Sequence, residues 1–172
     1  TSLIYRYINS LCPKEHDHTV EDTYKVNIEI KPGEEREFKI LDTAGEEDYQ
    51  YMLDQWIENA NGFLLVYAIN DLETFEAIKE KVVRMQKNNA EKLPIIIVGN
   101  KNDLENERKV SKEVAENYAK SIGAKYYETS ALTDHNGNCK VVFQQCANLI
   151  VNKIGGDEVI VNSGICSKCS IF

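Results

Sequence analysis

The 172-residue sequence predicts an α/β domain built on a mostly parallel sheet with helices on both faces. Two observations point to this class. From about residue 62 onwards, short apolar runs alternate with longer amphipathic segments of helical period, as in right-handed βαβ units. The run 93–99 is almost entirely apolar, as expected for a strand buried on both faces. The length suits one domain with a substantial core.

The first elements follow from apolar spacing and turn residues. A helix is predicted over residues 2–10, where apolar residues recur at helical spacing. A loop over 11–22 contains a proline. Residues 24–30 alternate as a strand, 31–34 form a Pro-Gly turn, and 36–41 return as an antiparallel strand.

The rest of the chain repeats strand and helix after a short, partly irregular helix over residues 49–59. The predicted strands are 63–69, 95–98 and 125–128, and the predicted helices are 72–88, 111–121 and 139–153. The periodicity stops at Gly155. The expected organisation is therefore a folded domain over 1–154 and a flexible membrane-targeting tail over 155–172.

Composition narrows the functional classes. The net charge of −8 and the pI near 5.0 argue against nucleic-acid binding, which favours a basic surface. No run of eighteen apolar residues and no secretory signal is visible, and five scattered cysteines fit a reducing compartment better than a disulfide framework. Because the chain begins at Thr1 rather than Met, we expect that an N-terminal segment precedes it.

Asp42-Thr43-Ala44-Gly45-Glu46 follows one of the predicted strands. A carboxylate at a strand end, beside a turn closed by glycine, can hold a metal ion through Asp42 and a phosphate through the Gly45 amide. The pattern is weak alone, because aspartate and glycine are common in plain turns.

Asn100-Lys101-Asn102-Asp103 follows the buried run 93–99, and open α/β sheets bind ligands at the carboxyl ends of such strands. The Asp103 carboxylate can accept hydrogen bonds from N1–H and the 2-amino group of guanine, a donor pair that adenine lacks. Asn100 can tie neighbouring loops together, and the Lys101 stem can cover the purine face. Taken singly, this motif is also compatible with a polar loop.

These motifs, in this order, resemble small GTPases of the Ras subfamily, of the Ras and Rap kind. The likeness runs from Thr1 to about Ile154. Three further stretches carry it: Glu128-Thr129-Ser130-Ala131, Thr19-Val20-Glu21-Asp22-Thr23-Tyr24, and Gly62 to Asn70. The resemblance implies the three-layer fold of P-loop NTPases, with GTP or GDP as ligand and Mg²⁺ as cofactor.

Site residues are assigned by the resemblance. It implies that the Thr1 and Thr19 hydroxyls and the Asp42 carboxylate hold Mg²⁺. It also implies that the Thr19 and Gly45 amides contact the γ-phosphate and respond to its loss. The residues implied to surround the guanine are Cys12, Asn100, Lys101, Asp103, Ser130 and Ala131, with the Ala131 amide on the exocyclic oxygen. Thr1 is also explained as a helix N-terminal residue, Thr19 as a solvated loop residue, and Ser130 as a turn former.

In the family, a central strand and a Gly-rich loop ending in Gly-Lys-Ser/Thr precede the position of Thr1. This chain is therefore expected to lack the N-terminal strand and the phosphate loop, either as a fragment, which we favour, or in the protein itself. Without that strand, the sheet would keep a gap with unpaired backbone groups, and we expect the chain to fold poorly alone.

Two residues depart from the family pattern. Glu46 takes the place of the glutamine that orients the attacking water, so we expect slow hydrolysis and a weakened response to a GTPase activator. Cys12 takes the place of an aromatic residue packed on guanine, so we expect faster nucleotide release. Cys12 is equally explained as an ordinary buried thiol.

The resemblance also assigns the interactions with partners. Val20, Glu21, Asp22, Thr23 and Tyr24 are expected to contact effector proteins through a strand edge, and an exchange factor and an activator are implied. A solvated acidic loop is the simpler explanation of these residues.

Cys169-Ser170-Ile171-Phe172 fits the C-a-a-X prenylation pattern, and the terminal phenylalanine favours geranylgeranyl. Cys166 is then the expected palmitoylation site, because one lipid anchors only marginally. Cys166 and Cys169 also form C-x-x-C, which can be half of a metal or redox site.

The predicted function is a guanine-nucleotide switch with GTPase activity on the cytoplasmic face of a membrane, which we expect to be the plasma membrane. The main alternative is a membrane-anchored adaptor that is non-catalytic or hydrolyses poorly. A dinucleotide oxidoreductase on a similar sheet is disfavoured, because the sequence holds no G-x-G-x-x-G.

Overall fold

The computed structural model describes residues 1–10, 21–43, 57–87, 93–134, 137–154 and 159–164. These residues form a six-stranded sheet and its covering helices. The elements in chain order are α1 (Ser2–Asn9), β1 (Glu21–Lys31), β2 (Glu34–Thr43), β3 (Gly62–Ala68), α2 (Leu72–Lys87), β4 (Ile95–Asn100), a 3₁₀ helix (Asn102–Glu107), α3 (Lys112–Ser121), β5 (Lys125–Glu128), α4 (Asn138–Ile154) and β6 (Val159–Gly164).

The sheet runs in the order β1-β2-β6-β3-β4-β5. Strands β2, β6, β3, β4 and β5 are mutually parallel, and only β1 runs antiparallel, paired with β2. The β1–β2 hairpin turns at Gly33, whose φ of 79° lies in the left-handed region that glycine adopts without steric cost. Parallel strands align their carboxyl ends at one edge of the sheet, which is where ligands bind in open α/β folds.

Helices cover both faces of the sheet and create two apolar cores. Helices α1 and α4 pack on one face, where Phe143 contributes to the core, while α2 and α3 pack on the other with Phe75. Successive residues of β3 point alternately into the two cores, so Leu64 faces α4 and Leu65 faces α2. All residues of β3 and β4 are buried, which explains why both sequences are apolar apart from Asn100 at the end of β4.

The three-layer α/β arrangement predicted from the sequence is confirmed. Predicted and observed bounds agree to within about three residues, and the largest difference is that β1 begins at Glu21 rather than at residue 24. Of the helix predicted over 49–59, only residues 57–59 lie within the described part, and these are helical. No helix in the described ranges combines the length and the apolar character needed to cross a membrane.

The prediction of a flexible tail from Gly155 is wrong for Val159–Gly164, which form β6 inside the sheet. The expected gap is wrong for the same reason, because β6 fills it between β2 and β3. Two properties explain this position of β6. A gap between two parallel strands presents unpaired backbone donors and acceptors on both sides, and the Val-Ile-Val run has a high β-propensity. Residues 165–172, with Cys166 and Cys169, lie outside the described part, so their lipidation remains a prediction.

Candidate functional site

Those residues singled out by the sequence that the structure describes lie mainly at the carboxyl edge of the sheet. Strand β2 ends there at Thr43, in register with Gly164 of β6, and β3 ends at Ala68, in register with Asn100 of β4. Helix α1 begins beside them, since the Thr1 amino nitrogen donates to Asp42 Oδ1 at 3.0 Å. Thr1 and Asp42, which the sequence assigns to Mg²⁺, are therefore neighbours, although 41 positions separate them in sequence.

Asp42 is the most unusual polar residue of this edge. Its side chain is 0% exposed, and its second carboxylate oxygen, Oδ2, has no hydrogen-bond partner among the described residues. A buried carboxylate oxygen without a partner is costly unless a ligand satisfies it. Carboxylate and hydroxyl oxygens are the ligands that Mg²⁺ prefers, so Asp42 beside Thr1 fits a magnesium site. The remaining predicted members, Thr19, Gly45 and Glu46, lie outside the described residues, as does Cys12.

Asn100 joins the two loops that follow β4 and β5. Its side chain is 2% exposed, and its Oδ1 atom accepts hydrogen bonds from the Ala131 amide at 3.1 Å and the Thr129 hydroxyl at 3.3 Å. The Asn102 amide adds a backbone bond to the Thr129 carbonyl at 3.0 Å. Asn100 thus lies in the loop-tying position that the sequence predicts for it.

The next residues hold an unusual backbone conformation. Lys101 has φ 64° and ψ 36°, a left-handed conformation that is uncommon for residues other than glycine. It turns the chain directly into the 3₁₀ helix, whose first turn contains Asp103. The Asp103 side chain is exposed, so its carboxylate is accessible to a ligand. A conformation of this kind is commonly held at ligand sites, where the surrounding bonds offset its strain.

Ser130 and Ala131 are both buried, and their polar groups are already engaged. Ser130 Oγ accepts from the Thr133 amide at 2.9 Å and from the Thr133 hydroxyl at 3.1 Å, which is the turn-forming role that the sequence also allowed. The Ala131 amide donates to Asn100. A guanine oxygen can therefore use that amide only by sharing or displacing the existing bond.

Arg6 is a site residue that the sequence did not reveal. From α1 its guanidinium donates to the carbonyl oxygens of Ala131 and Leu132, and to Ser10 O at 2.8 Å. It thereby ties the first helix to the loop after β5. A single arginine in a short helix has no distinctive spacing, so only the three-dimensional contact identifies it.

A second unforeseen feature is a polar network beneath the 3₁₀ helix. The Tyr67 and Tyr126 hydroxyls are 3.0 Å apart, and Tyr126 donates to Glu128 Oε1 at 2.6 Å. Arg108 binds both Glu128 oxygens, at 2.9 and 3.1 Å, and also binds Glu105 of the 3₁₀ helix at 2.9 Å. The network therefore links the segment that carries Asp103 to strands β3 and β5.

The protonation states of this network follow from its contacts. Burial raises the pKa of Tyr67 to about 12, and burial together with the Glu128 hydrogen bond raises the pKa of Tyr126. Hydrogen bonds to Glu105 and Glu128 raise the pKa of Arg108. Gly99 leaves room for the tyrosine pair, since a Cβ there would lie 2.9 Å from the Tyr67 hydroxyl oxygen.

The predicted effector residues that the structure describes lie on an edge strand. Glu21 pairs with Thr43 and Asp22 with Asp42, so β1 begins beside the residue that the sequence assigns to Mg²⁺. On its other side β1 has no neighbour among the described strands. Asp22 and Thr23 are exposed. Tyr24 is half-buried in edge-to-face contact with Tyr5, and burial raises its pKa. Val20 lies outside the described residues.

Comparison with known proteins identifies the family. The sequence profile described as "Ras family" matches residues 1–152. Protein ras-1 of Neurospora crassa is 44% identical over 125 residues, which cover 71% of this chain but 57% of the fungal protein. Ras-like protein rasU of Dictyostelium discoideum is 33% identical over all 172 residues and 79% of its own length. Ras-related protein Ral-B of Rattus norvegicus is 38% identical over 148 residues, 84% of this chain and 70% of Ral-B.

The resemblance stated from the motifs is therefore confirmed over nearly the whole folded part. No group of three or more His, Cys, Asp or Glu side chains that could hold a metal ion is present within the described ranges. The fold, the ordered motifs and the relatives agree, and the chain belongs to the Ras family of small GTPases.

Proposed function

We propose that this chain acts as a membrane-anchored switch that binds guanine nucleotides, hydrolyses GTP to GDP and signals to effector proteins. One observation carries the proposal: Thr1, Asp42 and the Asn100–Asp103 loop, which are far apart in sequence, all lie at the carboxyl edge of one sheet. Nucleotide sites of α/β proteins occupy this edge. The chain spans 57% of the length of ras-1. The activity of the whole protein is therefore proposed from the site and the family together.

Guanine recognition is assigned to Asp103, supported by the exposure of its side chain and by the hydrogen bonds that hold the neighbouring backbone. Lys101 sets the direction of the chain, Arg108 braces the 3₁₀ helix through Glu105, and Asn100 fixes the loop behind it. Because the surrounding backbone is held in this way, the exposed Asp103 carboxylate can accept two parallel hydrogen bonds from guanine.

Magnesium binding is assigned to Asp42, Thr1 and Thr19. The partnerless Oδ2 atom of Asp42 supports this assignment, because a cation would satisfy it directly or through water. When bound, Mg²⁺ neutralises charge on the β- and γ-phosphates. The chain's own contribution is to exclude water from the Asp42 side chain and to keep it close to the start of α1.

Hydrolysis is assigned to an attacking water beside Glu46, with the Thr19 and Gly45 amides near the γ-phosphate. A carboxylate at position 46 accepts from water but cannot donate to the transferring phosphoryl group, and it adds negative charge to an anionic site. We therefore propose slow intrinsic hydrolysis. Release of the two loops after loss of the γ-phosphate would provide the signal.

Effector binding is assigned to β1, where a partner can add a strand to the exposed edge. The register supports coupling to the nucleotide, because Asp22 of this strand pairs with Asp42 of the metal site. Its acidic residues favour a basic partner surface. Membrane attachment is assigned to geranylgeranylation of Cys169 with palmitoylation of Cys166, at the cytoplasmic face of the plasma membrane.

Nucleotide specificity provides the sharpest test. Xanthine has a carbonyl oxygen where guanine has its 2-amino group, so Asp103→Asn should weaken binding of fluorescent GDP at least about tenfold and improve binding of the xanthine analogue. The matched control is Glu107→Gln, which removes an exposed carboxylate from the same 3₁₀ helix. An unmodified chain that binds no guanine nucleotide, or an Asp103→Asn variant with unchanged specificity, would contradict the proposal.

A non-catalytic or hydrolysis-impaired membrane adaptor is the second candidate. Glu46 favours it, and so does the Ala131 amide, which is already bonded within the protein. Such an adaptor would bind its effector at β1 equally well with GTP, with GDP and with no nucleotide. A switch would bind the effector more tightly with GTP.

A further inference from the structure

Arg108 follows the 3₁₀ helix that carries Asp103, and its guanidinium joins that helix to strand β5. The Nε and Nη2 atoms donate to the two carboxylate oxygens of Glu105, at 2.9 and 2.5 Å. The Nη1 and Nη2 atoms donate to the two carboxylate oxygens of Glu128, at 2.9 and 3.1 Å. One guanidinium therefore holds two carboxylates by paired hydrogen bonds, a geometry that lysine cannot reproduce.

The two carboxylates that Arg108 binds have different surroundings. The Glu105 side chain is 64% exposed on the 3₁₀ helix, whereas the Glu128 side chain is 15% exposed at the end of β5. The Arg108 side chain is itself 15% exposed. Because charges interact more strongly where solvent is mostly excluded, the Glu128 contact anchors the arginine, and the Glu105 contact connects the helix to that anchor.

Glu128 is fixed in turn by the neighbouring strands. The Tyr126 hydroxyl donates to Glu128 Oε1 at 2.6 Å, and the Tyr67 hydroxyl lies 3.0 Å from that of Tyr126. The two hydroxyls lie over Gly99 of β4, where a Cβ would be 2.9 and 3.0 Å from their oxygens. The anchor of Arg108 therefore extends across β3, β4 and β5, one residue before Asn100.

The 3₁₀ helix depends on such contacts for its position. It is six residues long, none of its residues is buried, and it contains a non-helical turn at Leu104, with φ −94° and ψ 39°. A short helix without buried side chains has little packing to hold it. Asp103 lies two residues before Glu105 in this helix. A displacement of the helix from Arg108 would therefore also displace the backbone of Asp103.

We propose that Arg108 is a positioning residue for nucleotide specificity, and that its anchor on Glu128 determines how well the site distinguishes guanine from hypoxanthine. The inference rests on the proposed guanine binding and adds the residue that fixes the backbone from which the Asp103 side chain extends. Hypoxanthine keeps the N1–H group of guanine but lacks the 2-amino group. Two parallel hydrogen bonds require a defined carboxylate position, whereas a single hydrogen bond tolerates a displaced one.

The ratio of the dissociation constants for IDP, the hypoxanthine nucleotide, and GDP measures this discrimination. We expect the unmodified chain to bind GDP at least about tenfold more tightly, because IDP lacks one of the two donors. Arg108→Met should reduce the ratio to about threefold or less, mainly by weakening GDP binding, because the second hydrogen bond is lost. Lys109→Met is the matched control, since it removes the neighbouring exposed cation and should leave the ratio unchanged.

Glu105→Ala separates positioning from stability. It removes the exposed carboxylate and leaves the contact between Arg108 and Glu128 in place. Because exposed ion pairs contribute little to stability, the urea-unfolding midpoint should hardly change. The IDP to GDP ratio should nevertheless fall about threefold. Glu107→Ala, in the same helix, is the control and should not change the ratio.

Two further variants identify how Arg108 acts. Arg108→Lys keeps the charge but cannot form paired bonds to both carboxylates, so it should lower the ratio as Arg108→Met does. In an Asp103→Asn background the paired acceptor is already lost, so Arg108→Met should change the ratio no further. A further fall of the ratio in that background would show that Arg108 does not act through Asp103, and would overturn the inference.

The outcomes separate this inference from the proposed function. If Arg108→Met weakens GDP and IDP binding equally, or if Arg108→Lys and Glu105→Ala keep the full ratio, Arg108 has a purely structural role. The inference then fails while the guanine-nucleotide switch stands. An unmodified chain that binds GDP no better than IDP, or binds neither nucleotide, overturns both the inference and the guanine assignment.

Discussion

Asn100 Oδ1 accepts the Ala131 amide at 3.1 Å, so one buried side chain holds together the loops after β4 and β5. The same oxygen accepts the Thr129 hydroxyl. Both donors are buried, so neither could bond to water instead if the asparagine were removed. The geometry of the loop that begins at Asn100 is therefore held by a residue whose own side chain is almost inaccessible to solvent.

Asn100→Ala should lower the free energy of unfolding by about 1–3 kcal/mol, because two buried donors lose their acceptor. It should also weaken guanine-nucleotide binding, since the Asn100–Asp103 loop loses its brace. Urea unfolding and fluorescent-nucleotide titration measure the two effects. Asn152→Ala, an exposed change in α4, is the control and should alter neither quantity by much. Unchanged stability in Asn100→Ala would contradict the assigned role.

Arg6→Met should loosen the loop after β5, because the aliphatic stem is retained while the bonds to Ala131 and Leu132 are lost. We expect a loss of about 1–3 kcal/mol in stability, as for other charged hydrogen bonds. Amide exchange at Ala131 and Leu132 should accelerate more than exchange in β3. Lys87→Met, an exposed change at the end of α2, provides the control. Equal protection of the loop in both variants would show that Arg6 does not hold it.

The parts that the sequence predicted are those whose signal is local. Continuous apolar runs identified β3 and β4, and short motifs at strand ends identified Asp42 and Asn100. The missed parts depend on the assembled sheet. Strand β6 is six residues long and follows two glycines, and its place depends on the slot between β2 and β3. The Tyr67–Tyr126 contact joins residues 59 positions apart, so no local sequence pattern could predict it.

The tyrosine pair predicts how stability depends on pH. Burial raises the pKa of Tyr67 to about 12 in the folded chain, above the ordinary value of 10.0. An unfolded chain therefore loses this proton first, and the folded chain keeps it. The stabilising contribution is complete below about pH 10 and declines as the pH rises to about 12, because the unfolded state binds fewer protons there.

Tyr67→Phe should make that alkaline decline shallower, while costing about 1 kcal/mol at neutral pH for the lost hydroxyl contact. Urea unfolding at a series of pH values measures both. Tyr126 contributes in the same direction, because its pKa is also raised, so the slope should be reduced rather than abolished. Tyr127→Phe, at the neighbouring position of β5, is the control. A parallel decline in Tyr67→Phe and the unmodified chain would refute the assignment.

Glu46→Gln should increase the rate of GTP hydrolysis in a single turnover. Glutamine can accept from the attacking water and also donate to a phosphoryl oxygen, and it removes a negative charge beside an anionic group. Since one well-placed donor in a reacting site is worth about a hundredfold or more, a rise of at least about tenfold is expected. Glu47→Gln removes the neighbouring carboxylate and serves as the control. If neither variant hydrolyses GTP faster, position 46 does not limit the reaction, and the explanation of slow turnover through its charge fails.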